Sequence, residues 1–231
     1  MPLLPTPPEL IKIAKAIAKY KGRSILVGGA VRDHCMGRRI SKDLDVEIFG
    51  MSPEALESVL QQFGVLHTVG KSFGVLKLKT SNAEYDFSLP RSESKTGKGH
   101  RGFLVTPDST MSYQKAASRR DFTINSIGYD LLNQEFLDPF DGLRDLKRKV
   151  LRHIGPSFSE DPLRVLRAMQ FSARLEFEIA PETVKLCRQL DLEELSRERI
   201  FEEFRKLLLK AKRPSIGLEA ANNLGILAYF P

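Results

Sequence analysis

Residues 24–49 constrain the fold of this chain more than any other stretch. Residues 24–27 form a short apolar run ending in Gly28 and Gly29, which predicts a buried strand that turns sharply into a short helix. Residues 44–49 then alternate apolar with acidic side chains, the pattern of a strand with one buried and one solvated face. We therefore expect a sheet with an acidic edge. The acidic residues predicted to share that face are Asp43, Asp45 and Glu47.

The composition is that of an ordinary soluble globular protein. The 231 residues carry a net charge of +7, a pI near 9.4 and 42% hydrophobic residues, which excludes a disordered tail or a collagen-like fibre. Cys35 and Cys187 form no CxxC pair, so neither a disulfide framework nor a structural zinc site is expected. No apolar stretch approaches about 18 residues and the first residues lack a secretion signal, so we expect a cytoplasmic protein without a membrane span.

Hydrophobic periodicity predicts further elements in the first 150 residues. Thr6 and Glu9 match a capping box, which predicts the start of a first helix that ends by Gly22. The polar, glycine-containing segment 91–118 predicts a functional or mobile loop. The remaining predicted elements are a helix over 53–63, a hairpin of strands 74–79 and 83–89, and a last hairpin over 127–137.

Beyond Pro156 the pattern becomes helical throughout. Ser159 is placed to cap a helix that runs to Leu175, and further helices follow. We expect an α/β domain over 1–150, with a small mixed sheet and flanking helices, and an all-α domain over 151–231.

The glycine pair and the acidic strand together indicate phosphate chemistry. Gly28 and Gly29 allow backbone N–H groups at a helix start to approach a triphosphate. Two carboxylates at positions i and i+2 of a strand suit two divalent ions about 4 Å apart, the arrangement that serves in-line nucleotidyl transfer. A lone glycine pair is usually only a tight turn, and a lone Asp-x-Asp is usually a solvated strand face. Their order and close spacing strengthen the functional interpretation.

Four ordered segments resemble the class II tRNA nucleotidyltransferases and bacterial poly(A) polymerases of the DNA polymerase beta superfamily. Residues 28–33 with 43–45 resemble the family signature, and residues 119–125 resemble its second motif. Residues 138–142 resemble the connector between the family's head and neck domains, and residues 160–167 resemble its templating helix. The resemblance implies a nucleotidyltransferase head over 1–150 and a nucleotide-selecting neck over 151–231. The family's body and tail domains have no counterpart in this sequence.

The resemblance implies a role for each matching residue. In the family, the aspartates matching Asp43 and Asp45 bind the catalytic Mg²⁺ ions. The residue matching Arg120 contacts the triphosphate, and the one matching Asp121 contacts the ribose, since a carboxylate accepts a hydrogen bond from a ribose hydroxyl. Isolated, Arg120 would belong to a solvated basic pair. The predicted nucleotide-binding residues are Gly28, Gly29, Arg32, Arg120, Asp121, Asn125, Asp161, Arg164 and Arg167.

Asp161 and Arg164 are expected to select the base. Three residues apart on one helical face, a carboxylate and a guanidinium present a hydrogen-bonding edge that matches cytosine and adenine but not guanine or uracil. Taken alone, the pair would be an exposed helical ion pair. Gln170 stands where many members carry an arginine, so one cationic contact is absent. Arg199 resembles a neck motif, although pairs along an amphipathic helix would also explain its charge.

Weaker candidates surround the acidic strand. Glu47, Glu84 and Asp86 are candidates for a third metal-facing carboxylate. The segment 95–102 lies where the family has a flexible loop that helps switch from C to A addition, although a solvated linker would look the same. The four histidines share no metal-ligand spacing.

These observations predict a template-independent enzyme that adds CMP and AMP, from CTP and ATP, to the 3′ end of tRNA by a two-metal mechanism. A-adding, CC-adding and poly(A)-adding variants of the same chemistry remain alternatives, as does a non-catalytic RNA-binding fragment. We also expect the acidic edge and the Asp161/Arg164 helix to face one cleft. Oligomeric state is left open by the sequence.

Overall fold

A computed structural model describes residues 2–40, 43–69, 75–95 and 103–229. The chain divides into two compact units. The first unit comprises Met1–Ala117 and Asn125–Pro139, and the second comprises Ser118–Ile124 and Phe140–Pro231. Among the helices of the described ranges, none has both the length and the apolar composition that crossing a bilayer requires.

The first unit is built on a mixed sheet. Its helices are α1 (Pro8–Lys19), α2 (Gly29–Cys35), α3 (Pro53–Leu60) and α4 (Tyr113–Ala117). Its strands are β1 (Arg23–Val27), β2 (Leu44–Phe49), β3 (Val65–Val69), β4 (Val75–Lys79), β5 (Glu84–Ser88), β6 (Arg91–Lys95), β7 (Phe103–Pro107), β8 (Gly128–Asp130) and β9 (Glu135–Leu137). Within the described residues, seven of these strands form one sheet in the order β3-β4-β5-β2-β1-β8-β9. The predicted small mixed sheet is confirmed.

Strand β2 lies near the middle of this sheet. It pairs antiparallel with β1 and parallel with β5. Leu44, Val46 and Ile48 are buried, whereas Asp45 between them is exposed, as the alternating pattern predicts. The apolar face of β2 therefore anchors the strand in the core, and its acidic face remains accessible.

Helix α1 packs through Leu10, Ile13 and Ile17, which are fully buried. The predicted capping box is wrong, because Thr6 donates to the carbonyl oxygen of Leu4 at 3.1 Å and caps nothing. Prolines around the helix start already supply the required φ and lack the N–H that a cap would satisfy. The carboxylate of Glu9 accepts hydrogen bonds from the hydroxyls of Thr80 and Tyr85.

The predicted loop over 91–118 is wrong for its described part. Strands β6 and β7 pair antiparallel there, with Arg91 opposite Pro107, and α4 follows. The polar run that forms β6 has no apolar alternation, which is why its sequence gave no strand signal. Residues 96–102, which carry most of the predicted switching segment, lie outside the described residues.

The second unit is mainly helical, as predicted. Its helices are α5 (Gly142–Arg148), α6 (Leu163–Leu175), α7 (Pro181–Cys187), α8 (Arg197–Lys210) and α9 (Pro214–Asn223), with short 3₁₀ turns at Pro156–Glu160 and Ile226–Tyr229. A third 3₁₀ turn covers Thr123–Asn125. A two-residue parallel pair, β10 (Val150–Leu151) with β11 (Glu178–Ile179), adds to the predicted helices. Helix α6 packs against α8 and α9 at the centre of this unit.

The predicted start of α6 at Ser159 is wrong. Ser159 lies in a 3₁₀ turn, and α6 begins at Leu163. A proline disfavours the helical region for the residue before it, and Asp161, which precedes Pro162, is extended with φ −131° and ψ 100°. The Asp161 carboxylate instead accepts from the Leu163 N–H at 3.2 Å. Asp161 thus precedes α6 rather than lying on it.

Candidate functional site

The acidic edge of the first unit is formed by β2 and β5. In their parallel register Asp45 lies beside Asp86, so the two side chains share one face of the sheet. Asp86 is paired with Lys77 of β4, with 3.2 Å between Nζ and Oδ1, and the Asp86 carboxylate raises the pKa of Lys77. This register makes Asp86 the neighbour of Asp45 among the three additional carboxylate candidates.

The other two additional candidates are Glu47, two residues after Asp45 on β2, and Glu84, at the start of β5. Glu47 is half-buried and faces Ser88 of β5 in the register. Glu84 is exposed and lies 3.8 Å from the Nζ of Lys79. Within the described ranges, no three His, Cys, Asp or Glu residues already form a metal cluster. Asp43 and Asp45 themselves are exposed at the start of β2.

The glycine turn lies against this acidic edge. Gly28 has φ +76°, a backbone conformation that residues other than glycine rarely adopt, and α2 begins at Gly29. A Cβ built on Gly28 would be 3.4 Å from Oδ2 of Asp45. The structure therefore brings the predicted turn and the predicted metal-binding carboxylate together.

Arg32 and Asn125 also meet in the first unit. The Arg32 side chain is only 5% exposed, and its Nη1 donates to Oδ1 of Asn125 at 2.8 Å. Its Nε and Nη2 donate to Oδ1 of Asp33 at 2.9 and 2.7 Å. These bonds fix the guanidinium at the helix that follows the glycine turn.

Asp121 and Arg167 form an ion pair in the second unit. Oδ2 of Asp121 accepts from Nε of Arg167 at 2.8 Å and lies 2.6 Å from its Nη2, while Oδ1 accepts from the N–H of Phe122 at 2.8 Å. The Arg167 guanidinium also lies over the ring of Phe171, 5.1 Å from its centroid. Arg120, beside Asp121 in sequence, is half-buried. The Arg167 guanidinium is thus held against the buried carboxylate of Asp121.

Arg164 is held by backbone carbonyls. Its Nη1 donates to the carbonyl oxygen of Ser157 and its Nη2 to that of Arg119, each at 2.6 Å. Two carbonyls from separate segments therefore determine the orientation of the Arg164 guanidinium.

Asp161 binds Arg199 rather than Arg164. The Nη2 of Arg199 donates to both carboxylate oxygens of Asp161, at 3.0 and 2.9 Å. The sequence analysis allowed that Arg199 pairs along its own helix, and it did not predict the contact with Asp161. Asp161 and Arg199 are 38 residues apart, so no local sequence signal joins them.

Glu203 of α8 is a second residue that the sequence analysis missed. Its side chain is 2% exposed, and Oε1 accepts from Nζ of Lys206 at 2.7 Å. Oε2 is buried and has no hydrogen-bond partner in the described part of the chain. On α6, Gln170 is also buried, and its side-chain oxygen accepts from Nη1 of Arg174 at 3.0 Å. Only burial, which sequence spacing does not reveal, distinguishes Glu203 from its exposed neighbours.

The predicted cleft shared by the acidic edge and the Asp161/Arg164 region stays a prediction. So does the nucleotide-binding role of each residue above. What the structure establishes is the local geometry within each unit.

Comparison with known proteins matches two family models. The family described as "Poly A polymerase head domain" matches residues 24–152. The family described as "Probable RNA and SrmB- binding site of polymerase A" matches residues 176–231.

Similar full-length proteins are called "Multifunctional CCA protein". The protein of Xanthomonas campestris pv. campestris (strain B100) is 43% identical over 209 residues, which covers 87% of this chain and 49% of that protein. The protein of Xylella fastidiosa (strain 9a5c) is 43% identical over 194 residues, covering 80% of this chain and 44% of that protein. The chain thus spans about half the length of the curated relatives it matches.

Solved structures show the same fold. The Bacillus stearothermophilus CCA-adding enzyme in complex with CTP superposes with a TM-score of 0.82 at 28% identity, covering 98% of this chain and 55% of that chain. A CCA-adding enzyme with ATP superposes with a TM-score of 0.77 at 25% identity, covering 97% of this chain and 53% of that chain.

Proposed function

The chain belongs to the poly A polymerase head-domain family, and we propose that it is a template-independent nucleotidyltransferase that adds CMP and AMP, from CTP and ATP, to the 3′ end of tRNA. The observation that supports this most is the contact between the glycine turn and the acidic edge, since Gly28 lies against the carboxylate of Asp45. A phosphate-binding turn beside paired carboxylates is what nucleotidyl transfer requires. The similarity to CCA-adding enzymes supports the choice of tRNA, CTP and ATP.

Asp43 and Asp45 fit a divalent ion by the chemistry of their donors. Both are exposed carboxylates, and Mg²⁺ prefers oxygen ligands, of which the protein commonly supplies only one or two carboxylates. Bound there, Mg²⁺ would supply charge neutralisation at the transferring phosphoryl group. Asp86 lies beside Asp45 in the sheet and adds a further carboxylate, paired with Lys77, to the same face.

Nucleotide contacts are proposed for the residues that the sequence analysis named. Gly28 and Gly29 offer backbone N–H groups to the triphosphate, and Arg32 is fixed beside them by Asn125. Arg120 contacts the triphosphate, and Asp121 accepts from the ribose. Because Oδ2 of Asp121 is held by Arg167, that carboxylate is kept in one orientation.

Base selection is assigned to Asp161 and Arg164, and Arg167 is proposed as a further nucleotide-contacting residue. The two backbone carbonyls that hold Arg164 leave its remaining N–H groups in a fixed direction, so the side chain is preorganised before a base binds. The Arg199 guanidinium orients the Asp161 carboxylate as an acceptor. This acceptor and donor set matches the edges of cytosine and adenine. We place the protein in the cytoplasm with its tRNA substrate.

The test is nucleotide incorporation by the 231-residue chain. Transcripts of tRNA that end at the discriminator base, at C or at CC are incubated with Mg²⁺ and labelled CTP, ATP or both, and the products are sequenced. With CTP and ATP together, we expect completion of CCA on all three transcripts. Extension by A alone, by C alone or by many A residues would replace the proposal with the corresponding variant.

Two substitutions distinguish turnover from RNA binding. Asp43→Ala with Asp45→Ala is expected to abolish incorporation while RNA affinity stays within about threefold, because neither carboxylate attracts a polyanion. Glu57→Ala, an exposed acid on α3, is the matched control and is expected to retain wild-type incorporation. Full incorporation by the double variant would contradict the proposed site.

A further inference from the structure

Residues 118–123 of the second unit contain both the proposed triphosphate contact and the proposed ribose contact. The start of this segment is held by hydrogen bonds to its backbone. The carbonyl oxygen of Ser118 accepts from the hydroxyl of Ser157 at 2.7 Å, and that of Arg119 accepts from Nη2 of Arg164 at 2.6 Å. One end of the segment is therefore fixed by a 3₁₀ turn and by helix α6.

The other end of the segment is held by a buried carboxylate. Asp145 of α5 is fully buried, and its Oδ2 accepts from the hydroxyl of Thr123 at 2.8 Å. The Nε of Arg152 donates to the same oxygen at 3.1 Å, and the carbonyl oxygen of Arg152 accepts from the N–H of Thr123 at 2.9 Å. The side chain and the backbone of Thr123 are thus fixed by two residues that also contact each other.

Asp145 acts on the protein itself and not on a nucleotide. Its side chain is 1% exposed, so it offers no surface to a substrate. A buried carboxylate is costly unless a cation and hydrogen-bond donors compensate it, and here Arg152 and Thr123 do so. Arg152 is in turn paired with Glu182, which is half exposed. The described contacts of the Asp145 carboxylate therefore serve to place Thr123.

The position of Thr123 is transmitted to Asp121, two residues earlier. Phe122 between them is fully buried, forms a β-bridge with His153 and meets the ring of Phe158 edge-on, with 5.6 Å between the centroids. The N–H of Phe122 donates to Oδ1 of Asp121 at 2.8 Å. Because this backbone N–H holds the carboxylate, a shift of the backbone at Phe122 and Thr123 would move the carboxylate as well.

We infer that Asp145 is a positioning residue for ribose recognition, and that through Thr123 it holds Asp121 where the carboxylate accepts from the 2′-hydroxyl of the incoming nucleotide. The inference rests on the proposed function and deepens it, because selection of ribonucleotides over deoxyribonucleotides then depends on a residue that does not touch the nucleotide. A carboxylate that accepts from a hydroxyl discriminates against the analogue without it only while it is held in hydrogen-bonding geometry.

The experiment measures the equilibrium affinities for CTP and dCTP by isothermal titration calorimetry in the presence of Mg²⁺, and the ratio of the two Kd values is the readout. Thr123→Val removes the hydroxyl that binds Asp145, and Thr123→Ser keeps it. Asp145→Asn preserves the size of the side chain but removes its charge. Glu182→Gln is the matched control, since it makes the same change from carboxylate to amide in the half-exposed partner of Arg152.

We expect the wild type to bind CTP at least about tenfold more tightly than dCTP, because dCTP lacks the hydroxyl that donates to a charged acceptor. Thr123→Val and Asp145→Asn should lower this ratio at least about fivefold by weakening CTP, while the affinity for dCTP stays within about twofold. Thr123→Ser and Glu182→Gln should keep the ratio within about twofold of the wild type, since the hydroxyl is retained in one and an exposed pair is lost in the other. A general loss of structure would weaken both nucleotides equally and leave the ratio unchanged.

Three results would overturn the inference. One is an unchanged ratio in Thr123→Val, which remains decisive if Asp145→Asn does not fold. Another is an equal loss in Thr123→Ser and Thr123→Val, which would assign the effect to packing and not to the hydroxyl. The third is a wild-type chain that binds the two nucleotides equally or binds neither. If the wild-type chain binds CTP but incorporates no nucleotide, the proposed function fails on its own, because the ratio of affinities needs no turnover.

Discussion

The ion pair between Asp121 and Arg167 offers a quantitative test of how the second unit fixes its proposed nucleotide-binding residues. Breaking a buried ion pair by removing one partner costs about 3–5 kcal/mol. The Asp121 side chain is 7% exposed and that of Arg167 is 31% exposed. Arg167→Ala leaves the buried carboxylate, so we expect a loss of about 3 kcal/mol. Asp121→Ala leaves a partly solvated guanidinium, so we expect about 2 kcal/mol.

The pair between Asp161 and Arg199 is the internal comparison. Both of its side chains are more than a quarter exposed, at 29% and 26%, so solvent screens the interaction and we expect about 1 kcal/mol or less. Both pairs belong to the second unit, so the same unfolding transition reports on both.

Double-mutant cycles measured by urea denaturation provide the assay. We expect a coupling energy of about 2 kcal/mol for Asp121 with Arg167, and a clearly smaller value for Asp161 with Arg199. A coupling below about 0.5 kcal/mol for the first pair, or equal values for the two pairs, would refute the argument from burial.

Two further predictions concern titratable groups outside the proposed contacts. Burial lowers the pKa of His153, so the folded unit favours its neutral form. The contribution of His153 to the free energy of unfolding should be complete above about pH 6.5 and should fall as the pH drops below that value. Thermal unfolding of His153→Asn should lack this decline. Burial raises the pKa of Cys35 to about 11 and that of Cys187 to about 12, so a thiol reagent at pH 8 should label both far more slowly in the native chain than after unfolding; equal rates in the two states would contradict this.

The parts of the site that the sequence predicted are those set by neighbouring residues. The period of two along β2 places its acids on one face, and only glycine readily adopts the positive φ found at Gly28. These signals need no knowledge of the rest of the fold. They were sufficient to predict the strand, the turn and the acidic edge.

Predicting that Asp86 lies beside Asp45 would have required knowledge of the strand order. Glu47, Glu84 and Asp86 have the same local pattern, but only the parallel pairing of β5 with β2 puts Asp86 beside Asp45. A parallel pair is joined by a long connection, here through α3 and two other strands, so its register is set by tertiary packing. Sequence reasoning could therefore name three candidates but not choose among them.

The error at the start of α6 had a local signal that was given too little weight. Ser159 is a good capping residue, but Pro162 restrains the backbone of the residue before it. The helix consequently begins after the proline, and Asp161 is left extended. An extended Asp161 therefore binds Arg199, while Arg164 lies within the helix.

The orientation of the proposed base-selecting residues arises from contacts that are remote in sequence. Arg164 is fixed by a carbonyl 45 residues earlier in the chain, and Asp161 by a guanidinium 38 residues later. The motif determines which donors and acceptors are available, but the folded unit determines their directions. Because selection between bases depends on direction as well as on residue type, the proposed specificity depends on the whole helical unit and not on the motif alone.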